Sequence, residues 1–462
     1  MNLALYKREL RELFRLALPM AAAQAGTQLM GLVDVAVLGR LGARELAASS
    51  VGNAIFFAVS VLGLGIVLGI DPLVTQAVGA RDHARARRVL WQGVWLGLVV
   101  SAVLTVFLVL GVAAIPLIGA PGLTRGARIF LLIRTFSLAP FLLFFVFRSY
   151  LQAHGITRPM VVAMVVANVL NFGGDILLVF GGARLPVWAG PLRSIPAMGV
   201  AGAALSTLFC TIVELAIVVP AVKFVDVPEG VDHHWNGRDV ALAFRVGLPI
   251  GLHMGAEVGI FALVALLAAR LGTLEVAAHQ LVIGLASFTF TVALGVASAG
   301  TVRVGRAIGA RDHAATRIAG HVAFFGGVVV MGTSASLFAL IPRTLARLVT
   351  NQESIITASV PLLLIAAVFQ LSDGVQAVGA GVLRGAGDTR YTLWANLVGH
   401  WAVALPLALL LGFHYRLGVV GLWWGLCAGL TVVAVLLMLR FESLSSKPIE
   451  PVADRSGALS RG

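Results

Sequence analysis

Charge is scarce in this chain of 462 residues: Asp, Glu, Lys and Arg make up only 12% of the residues, whereas 59% are hydrophobic. Soluble domains average about 25% charged and about 45–50% apolar residues. Apolar runs of about 20 residues, the length that crosses a bilayer as a helix, recur from one end of the sequence to the other. The composition therefore predicts a polytopic protein embedded in a lipid bilayer.

Other scarcities narrow the function further. No GxxxxGK[ST] loop occurs, which argues against an ATP-driven pump and favours an ion gradient as the energy source. The only cysteines, Cys210 and Cys427, lie inside apolar runs, and we interpret them as small core residues. The net charge of +13 does not indicate nucleic acid, because the basic residues separate the apolar runs instead of clustering in one domain.

A repeat divides the chain into two similar halves. The hexapeptide GARDHA at residues 79–84 recurs unchanged at residues 309–314, an offset of 230 residues. At the same offset, Leu18-Pro19 matches Leu248-Pro249. Several matches in one register are not expected by chance, and in so apolar a chain they indicate a transporter built from two bundles around a central site.

The apolar runs predict an all-α membrane protein with twelve transmembrane helices in two pseudo-symmetric six-helix bundles. Six helices is an even number, so both halves begin on the same side of the membrane and the repeat is parallel. We predict an N-terminal lobe at residues 1–224, a cytoplasmic linker at 225–240, a C-terminal lobe at 241–440 and a disordered cytoplasmic tail at 441–462.

The distribution of Arg and Lys predicts the orientation. Most of the 34 basic residues fall at the N-terminus, in the tail and in alternate loops that include both hexapeptides. By the positive-inside rule these segments, and so both termini, face the cytoplasm. We interpret the hexapeptides as charged, helix-ending loops. The bias of the basic residues towards Arg and the abundance of Ala and Gly suggest a bacterial source, and hence the inner (cytoplasmic) membrane.

Four carboxylates lie inside the predicted spans, where an acidic group costs about 2.5–3.5 kcal/mol. They are Asp34, Asp175, Glu257 and Asp373. Any one of them could be a structural hydrogen-bonding group, but four together would cost roughly 10 kcal/mol or more. We therefore expect them to bind a cation.

Polar neighbours accompany these carboxylates. Asn168, Asn171 and Asp175 follow one another at i, i+3 and i+7, which places them on one face of a helix. His253 precedes Glu257 by four residues. Carboxylate and amide oxygens are hard donors that suit either Na⁺ or a proton. The pattern predicts cation coupling without a further cofactor, and it leaves the identity of the ion open.

The halves repeat their scaffold but not their charges. At the 230-residue offset, Val264 stands opposite Asp34 and Thr27 stands opposite Glu257. Pro19 and Pro249 are duplicated inside the first and seventh helices, where proline removes a backbone hydrogen bond and favours a kink. Pro19 is therefore a possible hinge for the helix that carries Asp34, and a static kink is the alternative.

Two further segments carry a resemblance to a known family. Residues 151–155 (LQAHG) with Pro159, and residues 383–390 (LRGAGDTR), resemble signature segments of the multidrug and toxic compound extrusion (MATE) transporters, including the NorM-like and DinF-like members. The resemblance covers nearly all of residues 10–440. It implies twelve helices in two lobes and export of drugs in exchange for inward H⁺ or Na⁺.

The same resemblance assigns roles to residues. Asp34, Asn171 and Asp175 fall on the family's coupling positions in the N-terminal lobe, with Asn168 nearby. Glu257 and Asp373 fall on the cation positions of the NorM-like branch and would be metal ligands if Na⁺ is the coupling ion. Pro19 stands where some members bend their first helix.

The leading hypothesis is therefore a monomeric efflux antiporter, not an enzyme, for organic and often cationic compounds. The alternative is a lipid-linked precursor flippase of a related fold, which would need a cationic cavity for pyrophosphate. An intramembrane aspartyl protease is disfavoured because the sequence before Asp175 lacks the first glycine of the GxGD pattern. A channel is disfavoured because paired bundles argue for alternating access.

Overall fold

The computed structural model describes residues 3–118, 121–184, 186–227 and 230–459. Across these residues the chain is helical, with no strand. The helices are α1 Leu3–Leu41, α2 Ala43–Val67, α3 Ile70–Gly79, α4 His83–Ala114, α5 Pro121–Thr135, α6 Leu138–Ala153, α7 Arg158–Phe180, α8 Val200–Ala221, α9 Gly237–Leu271, α10 Thr273–Gly309, α11 His313–Leu340, α12 Pro342–Arg347, α13 Glu353–Gly385, α14 Thr389–Asn396, α15 Leu405–Leu409, α16 Gly418–Leu444 and α17 Val452–Leu459.

The helices account for the predicted membrane spans. Within the described residues, 11 helical segments are each long and apolar enough to cross a membrane, and the pair α5–α6, bent by 42°, makes up to 12 if it forms one span. Two of the 11 join two α-helices: α2 with α3 over Ala43–Gly79, and α14 with α15, together with two π-helical segments, over Thr389–His414. The all-α, polytopic fold predicted from the sequence is confirmed.

Both copies of the repeated hexapeptide end a helix in the same way. Arg81 and Arg311 adopt the left-handed conformation, with φ of 60° and 55°. In each copy the next amide reaches back to a carbonyl five residues earlier, at 3.0 Å from Asp82 to Ala77 and at 3.0 Å from Asp312 to Ala307. These bonds satisfy carbonyls that the helix leaves free, as in a Schellman-type cap.

The described chain divides into two compact units. Unit 1 contains Met1–Gln24, Asp71–Asp82 and Leu248–Gly462, and unit 2 contains Ala25–Ile70 and His83–Gly247. Each unit thus takes most of one half of the sequence, and the helices α1 and α9 pass from one unit to the other within their length. The lobe boundaries at residues 1–224 and 241–440 stay a prediction.

Unit 1 is held together by apolar packing and by ion pairs from distant parts of the chain. Its core includes the fully buried Trp423, which packs against Phe369 with ring centroids 5.6 Å apart. The side chain of Arg303 donates to Glu9 at 2.6 Å, and Arg384 lies 3.4 Å from Asp71. Because these pairs are partly buried, they fix the start of α1 and the short helix α3 within this unit.

The close approach of α3 and α10 in unit 1 depends on the glycine that begins each hexapeptide. A Cβ atom at Gly79 would collide with the backbone carbonyl of Arg306, and one at Gly309 would collide with the carbonyl of Gln76. The two contacts are reciprocal. The repeat therefore supplies a symmetric crossing in which each helix end packs against the backbone of the other.

The segment after residue 441, for which the sequence predicts disorder, differs from that expectation as far as Leu459. The last long helix continues to Leu444, and α17 follows. The amide of Val452 donates to the side chain of Gln76 at 2.8 Å, and Val452 is only 7% exposed. Apolar contacts of Leu444, Ile449 and Val452, together with hydrogen bonds, hold a segment whose composition is polar. Residues 460–462 lie outside the described residues.

The segment predicted as a linker packs against α4 in unit 2. The side chain of Gln92 donates to the carbonyl of His234 at 2.7 Å and accepts from the amide of Asn236 at 2.8 Å. The indole of Trp95 donates to the carbonyl of His233 at 3.1 Å. The backbone groups of this polar segment thus form hydrogen bonds with side chains of a single helix, α4. Residues 228 and 229 lie outside the described part of the chain.

Candidate functional site

Unit 2 contains a polar cluster centred on Asp34, which we call the Asp34 cluster: Asp34, Asn171, Asp175, Ser206 and Thr207. Asp34 lies on α1, and α7 and α8 each direct one donor to its carboxylate. The amide of Asn171 donates to Oδ1 at 2.9 Å, and the hydroxyl of Thr207 donates to Oδ2 at 3.2 Å. These two hydrogen bonds link α1 to both α7 and α8.

Asp175 is the deepest acid of the Asp34 cluster. It is 0% exposed, and neither of its oxygens makes a well-formed hydrogen bond, although the carboxyl of Asp34 and the hydroxyl of Ser206 lie close to it. An ionised carboxylate without donors is expensive in an apolar interior. Two carboxyls so close together favour sharing one proton over carrying two charges.

Close packing of α7 and α8 creates this arrangement. A Cβ atom at Gly174 would lie 2.7 Å from the hydroxyl of Ser206, and one at Gly202 would collide with the carbonyl of Leu178. The two glycines let the helices approach until the hydroxyl of Ser206 donates to the carbonyl of Asn171 at 3.2 Å. Gly174, directly before Asp175 in the sequence, therefore serves helix packing.

Asn168 lies one turn from Asn171 but has different partners. Its amide donates to the carbonyl of Gly26 at 3.0 Å and to that of Met164 at 2.9 Å. It ties α7 to α1 without contacting Asp34. The helical spacing placed Asn168 on the correct face, and the geometry gives it a positioning contact at the edge of the cluster.

Sequence reasoning missed Thr207 and Ser206. Serine and threonine are common in membrane helices because their hydroxyls can bond the carbonyl of the preceding turn, and Thr207 does this as well, at 3.0 Å from Ala203. Their residue types carried no specific signal. Only the position of α8 beside α1 distinguishes Thr207 from the other hydroxyl residues.

Unit 1 contains a second polar cluster, the Glu257 cluster: His253, Glu257, Asp373, Gln376 and His400. The imidazole of His253 lies 3.3 Å from Oε2 of Glu257, and the amide of Gln376 lies 3.4 Å from the same oxygen. Asp373 is 6% exposed and lies within electrostatic range of Glu257. Residues of α9 and α13 that the sequence pattern singled out therefore lie together around two carboxylates.

A π-helical segment borders the Glu257 cluster. Residues Leu397–Ala404 are π-helical and carry His400, which is 0% exposed. Neither ring nitrogen of His400 makes a well-formed hydrogen bond. The same holds for the side-chain nitrogen and oxygen of Asn396, four residues earlier in the chain. Such turns often occur at functional sites. Across the described ranges, no three His, Cys, Asp or Glu side chains converge as a ready-made metal site.

The proposed hinge at Pro19 lies apart from both clusters. The helix α1 continues through Pro19 and α9 continues through Pro249. Pro19 belongs to unit 1, whereas Asp34, farther along the same helix, belongs to unit 2. Its role as a hinge stays a prediction.

Comparison with known proteins identifies the family to which the chain belongs. The profile of the MatE family matches residues 19–177 and 249–410, and so covers one stretch in each half. The chain is 36% identical over 449 residues to a protein of Deinococcus radiodurans called "Probable multidrug resistance protein NorM", covering 94% of this chain and 95% of that one. A protein of the same name in Bradyrhizobium diazoefficiens is 34% identical over 450 residues, covering 95% and 94%.

A solved structure has the same fold. The structure resembles that of a mutant of the Vibrio cholerae MATE transporter VcmN with a TM-score of 0.85. The match covers 96% of this chain and 99% of that chain at 21% sequence identity.

Proposed function

The chain belongs to the MatE family, and on that basis we propose that it is a secondary-active multidrug efflux antiporter. It would export organic, often cationic compounds in exchange for H⁺ or Na⁺ by alternating access. The inner membrane of a bacterium would be its location, with both termini in the cytoplasm, and a single chain would be sufficient. The observation that carries the proposal is the Asp34 cluster, in which the buried Asp175 and Asn171 lie beside the half-buried Asp34 between three helices.

Proton binding would act as the switch at the Asp34 cluster. The ionised Asp34 accepts one hydrogen bond from α7 and one from α8. A proton on Asp34 removes the negative charge that accepts these bonds, and the bonds to Asn171 and Thr207 then lose their charge-assisted strength. The links of α1 to the two neighbouring helices therefore weaken when the proton arrives. A ligand that changes the relative energies of two conformations shifts their populations.

Drug and coupling ion would be coupled because each favours a different conformation. The coupling free energy is reciprocal, so inward flow of the ion drives outward flow of the drug. A cationic drug is favoured as cargo because both polar clusters are mainly acidic. An anionic lipid-linked precursor, the alternative cargo, would meet carboxylates in each unit and be repelled.

The Glu257 cluster is the candidate site for a Na⁺ ion. Two carboxylates and the amide oxygen of Gln376 are hard oxygen ligands of the type that such cations prefer. Asp175 and Asp34 would then bind the proton, and each cluster could respond to its own ion. The resemblance to NorM proteins supports this assignment.

Vesicle transport with one imposed gradient at a time tests the proposal. Purified protein in liposomes should expel a fluorescent organic cation when a pH gradient or a Na⁺ gradient is applied. Asp34→Asn should reduce transport by about 10²-fold or more if the pair is essential, a loss of about 2.7 kcal/mol. The exposed linker residue Asp232 gives a matched control, and Asp232→Asn should transport at the wild-type rate. Wild-type transport by Asp34→Asn would refute the mechanism.

A further inference from the structure

A basic residue of unit 2, Arg134, lies within the bent pair α5–α6, which is long and apolar enough to form one membrane span. Arg134 is the penultimate residue of α5, about 20 Å along the helix from Pro121 at a rise of about 1.5 Å per residue. The apolar α6 follows after a break of two residues, and the pair is bent by 42°. An arginine in the middle of a span is costly and points to a function or to a specific partner.

Arg134 has contacts that hold it without neutralising it. Its guanidinium carbon lies 4.2 Å from the ring centroid of Phe56 on α2, and Nη1 lies 3.5 Å from the hydroxyl of the fully buried Ser137. None of the ion pairs within the described ranges includes it. The ring face and the hydroxyl orient the cation but leave its positive charge in place.

Two acids lie within electrostatic range of Arg134, and one of them is Asp34 of the proposed coupling site. Asp34 and Glu214 both interact electrostatically with Arg134. Glu214 lies on α8 at seven residues from Thr207, and therefore on the helix face that contacts Asp34. Thr211 lies between them and donates to the carbonyl of Thr207 at 2.7 Å. A polar face of α8 thus runs from Asp34 to the acid beside Arg134.

The other charged groups around α5 stand nearer its beginning. Arg125 and Arg128 lie in its first turns, and Arg44 at the start of α2 donates to the carbonyl of Gly122 at 2.6 Å. Glu45 lies beside Arg44 in the sequence. The part of α4 that follows Arg88 carries no Asp, Glu, Lys or Arg. Asp34 and Glu214 are therefore the acids within electrostatic range of Arg134.

The arginine has no counterpart in the other half of the repeat. The offset of 232 residues that aligns Leu151 with Leu383 places the fully buried Ala366 at the position of Arg134. The helix scaffold does not require a basic residue at this point. The charge accompanies the acids of unit 2, which are also absent from the repeated positions.

We propose that Arg134 is the resident cation of the Asp34 cluster and that, together with Glu214, it sets the proton affinity of the Asp34–Asp175 pair. Arg134 is a positioning residue, because it acts on the carboxyls through space. A fixed positive charge favours the ionised form of a nearby acid, and a fixed negative charge disfavours it. The inference rests on the proposed function, since it deepens the role of the same site.

The two charges act in opposite directions, which makes the proposal testable. Removing the guanidinium in Arg134→Gln should strengthen proton binding at the pair by about tenfold, an upward shift of about one pH unit in its midpoint. Removing the acid in Glu214→Gln leaves Arg134 uncompensated and should shift the midpoint downward. The double variant should return towards the wild-type midpoint. A merely structural arginine would produce none of these opposed shifts.

The experiment is an infrared titration of the buried carboxyls in purified protein, read from the C=O band of protonated acids. Asp34→Asn and Asp175→Asn identify the band, and no drug is needed. Arg128→Gln is the matched control, because Arg128 lies on the same helix and is exposed; it should leave the midpoint unchanged. Arg134→Lys, which keeps the charge, should stay within about 0.3 pH unit of the wild type.

Distinct outcomes separate this inference from the proposed function. If the band titrates in the wild type but Arg134→Gln and Glu214→Gln leave the midpoint in place, Arg134 is not the resident cation and the proposed antiport stands. If no band assigned to Asp34 or Asp175 titrates from about pH 5 to about pH 9, both proton coupling and this inference are overturned. If Arg134→Gln does not fold, Glu214→Gln and Arg134→Lys still decide the result.

Discussion

At the scale of single residues, the Asp34 cluster distinguishes between chemically similar side chains. Thr207 and Thr211 lie one turn apart on α8, and each bonds a carbonyl of its own helix. Only Thr207 also reaches the carboxylate of Asp34, at 3.2 Å. A hydrogen bond to a charged group contributes about 1.5–3 kcal/mol, about twice a neutral one. The two threonines therefore form a natural pair for comparison.

Thr207→Val should weaken the stabilisation of ionised Asp34 without changing the volume of the side chain greatly. The proton should then bind more tightly, and the midpoint of pH-driven drug efflux should rise by about one pH unit. Thr211→Val is the control and should leave the midpoint unchanged. Efflux rates in liposomes across a pH series measure both. Equal shifts for the two variants would show that the contact with Asp34 has no role.

The repeated arginines at the helix ends carry backbone strain. Arg81 has φ of 60°, a conformation that is unfavourable for side chains with a Cβ and most unfavourable for β-branched ones. Arg81→Val should lower the free energy of unfolding by about 1–3 kcal/mol, and Arg81→Gly should maintain or raise it. Thermal unfolding in detergent measures the difference. A valine variant as stable as the glycine variant would argue that no strain exists there.

The sequence reveals which residues share a face of one helix, but it does not reveal which helices are neighbours. Helical periodicity joined Asn168, Asn171 and Asp175, because residues on one helix have fixed relative positions. It could not join Thr207 to Asp34, because that contact requires knowledge of which helices are neighbours. Arg134 was missed for a similar reason. The break after α5 places it in the middle of the bent pair α5–α6, whereas its sequence context resembles a charged helix end.

At the scale of elements, the C-terminal helix α17 fastens three separate parts of unit 1. Gln76 on α3 donates to the carbonyl of Gly385 at 3.0 Å and accepts from the amide of Val452 at 2.8 Å. Arg455 donates to the carbonyl of Ala386 at 2.6 Å, and burial lowers the pKa of its guanidinium. The composition of the tail suggested disorder because it is polar, and composition does not register that backbone groups have partners on other helices.

Gln76→Met should release the tail while retaining the shape of the side chain. Both hydrogen bonds of the amide disappear, and the buried amide of Val452 loses its acceptor, at a cost of about 1–3 kcal/mol. The segment after residue 445 should become sensitive to protease at concentrations that leave the wild type intact, as mass spectrometry of the products would detect. Gln352→Met, at an exposed helix start, is the control. Unchanged protection in Gln76→Met would mean that other contacts hold α17.

At the scale of the whole molecule, the number of membrane spans determines which loops lie on the same side of the membrane. The fold follows from sequence with little ambiguity, since long apolar runs and short loops allow few alternatives. The bend of α5 against α6 was not expected, because apolar runs do not reveal where a helix breaks. Twelve spans place both hexapeptide loops on one side of the membrane and the loop at residues 349–352 on the other.

Cysteine labelling should determine this arrangement. The native Cys210 and Cys427 are buried, so a membrane-impermeant thiol reagent should react only with an introduced cysteine. Asn351→Cys, in the exposed loop before α13, should react in intact cells. Arg81→Cys and Arg311→Cys should react only in inverted vesicles, because the positive-inside rule places their loops in the cytoplasm. Labelling of Arg81→Cys from outside while Arg311→Cys reacts from inside would make the repeat antiparallel, since equivalent loops of a parallel repeat must share one side of the membrane.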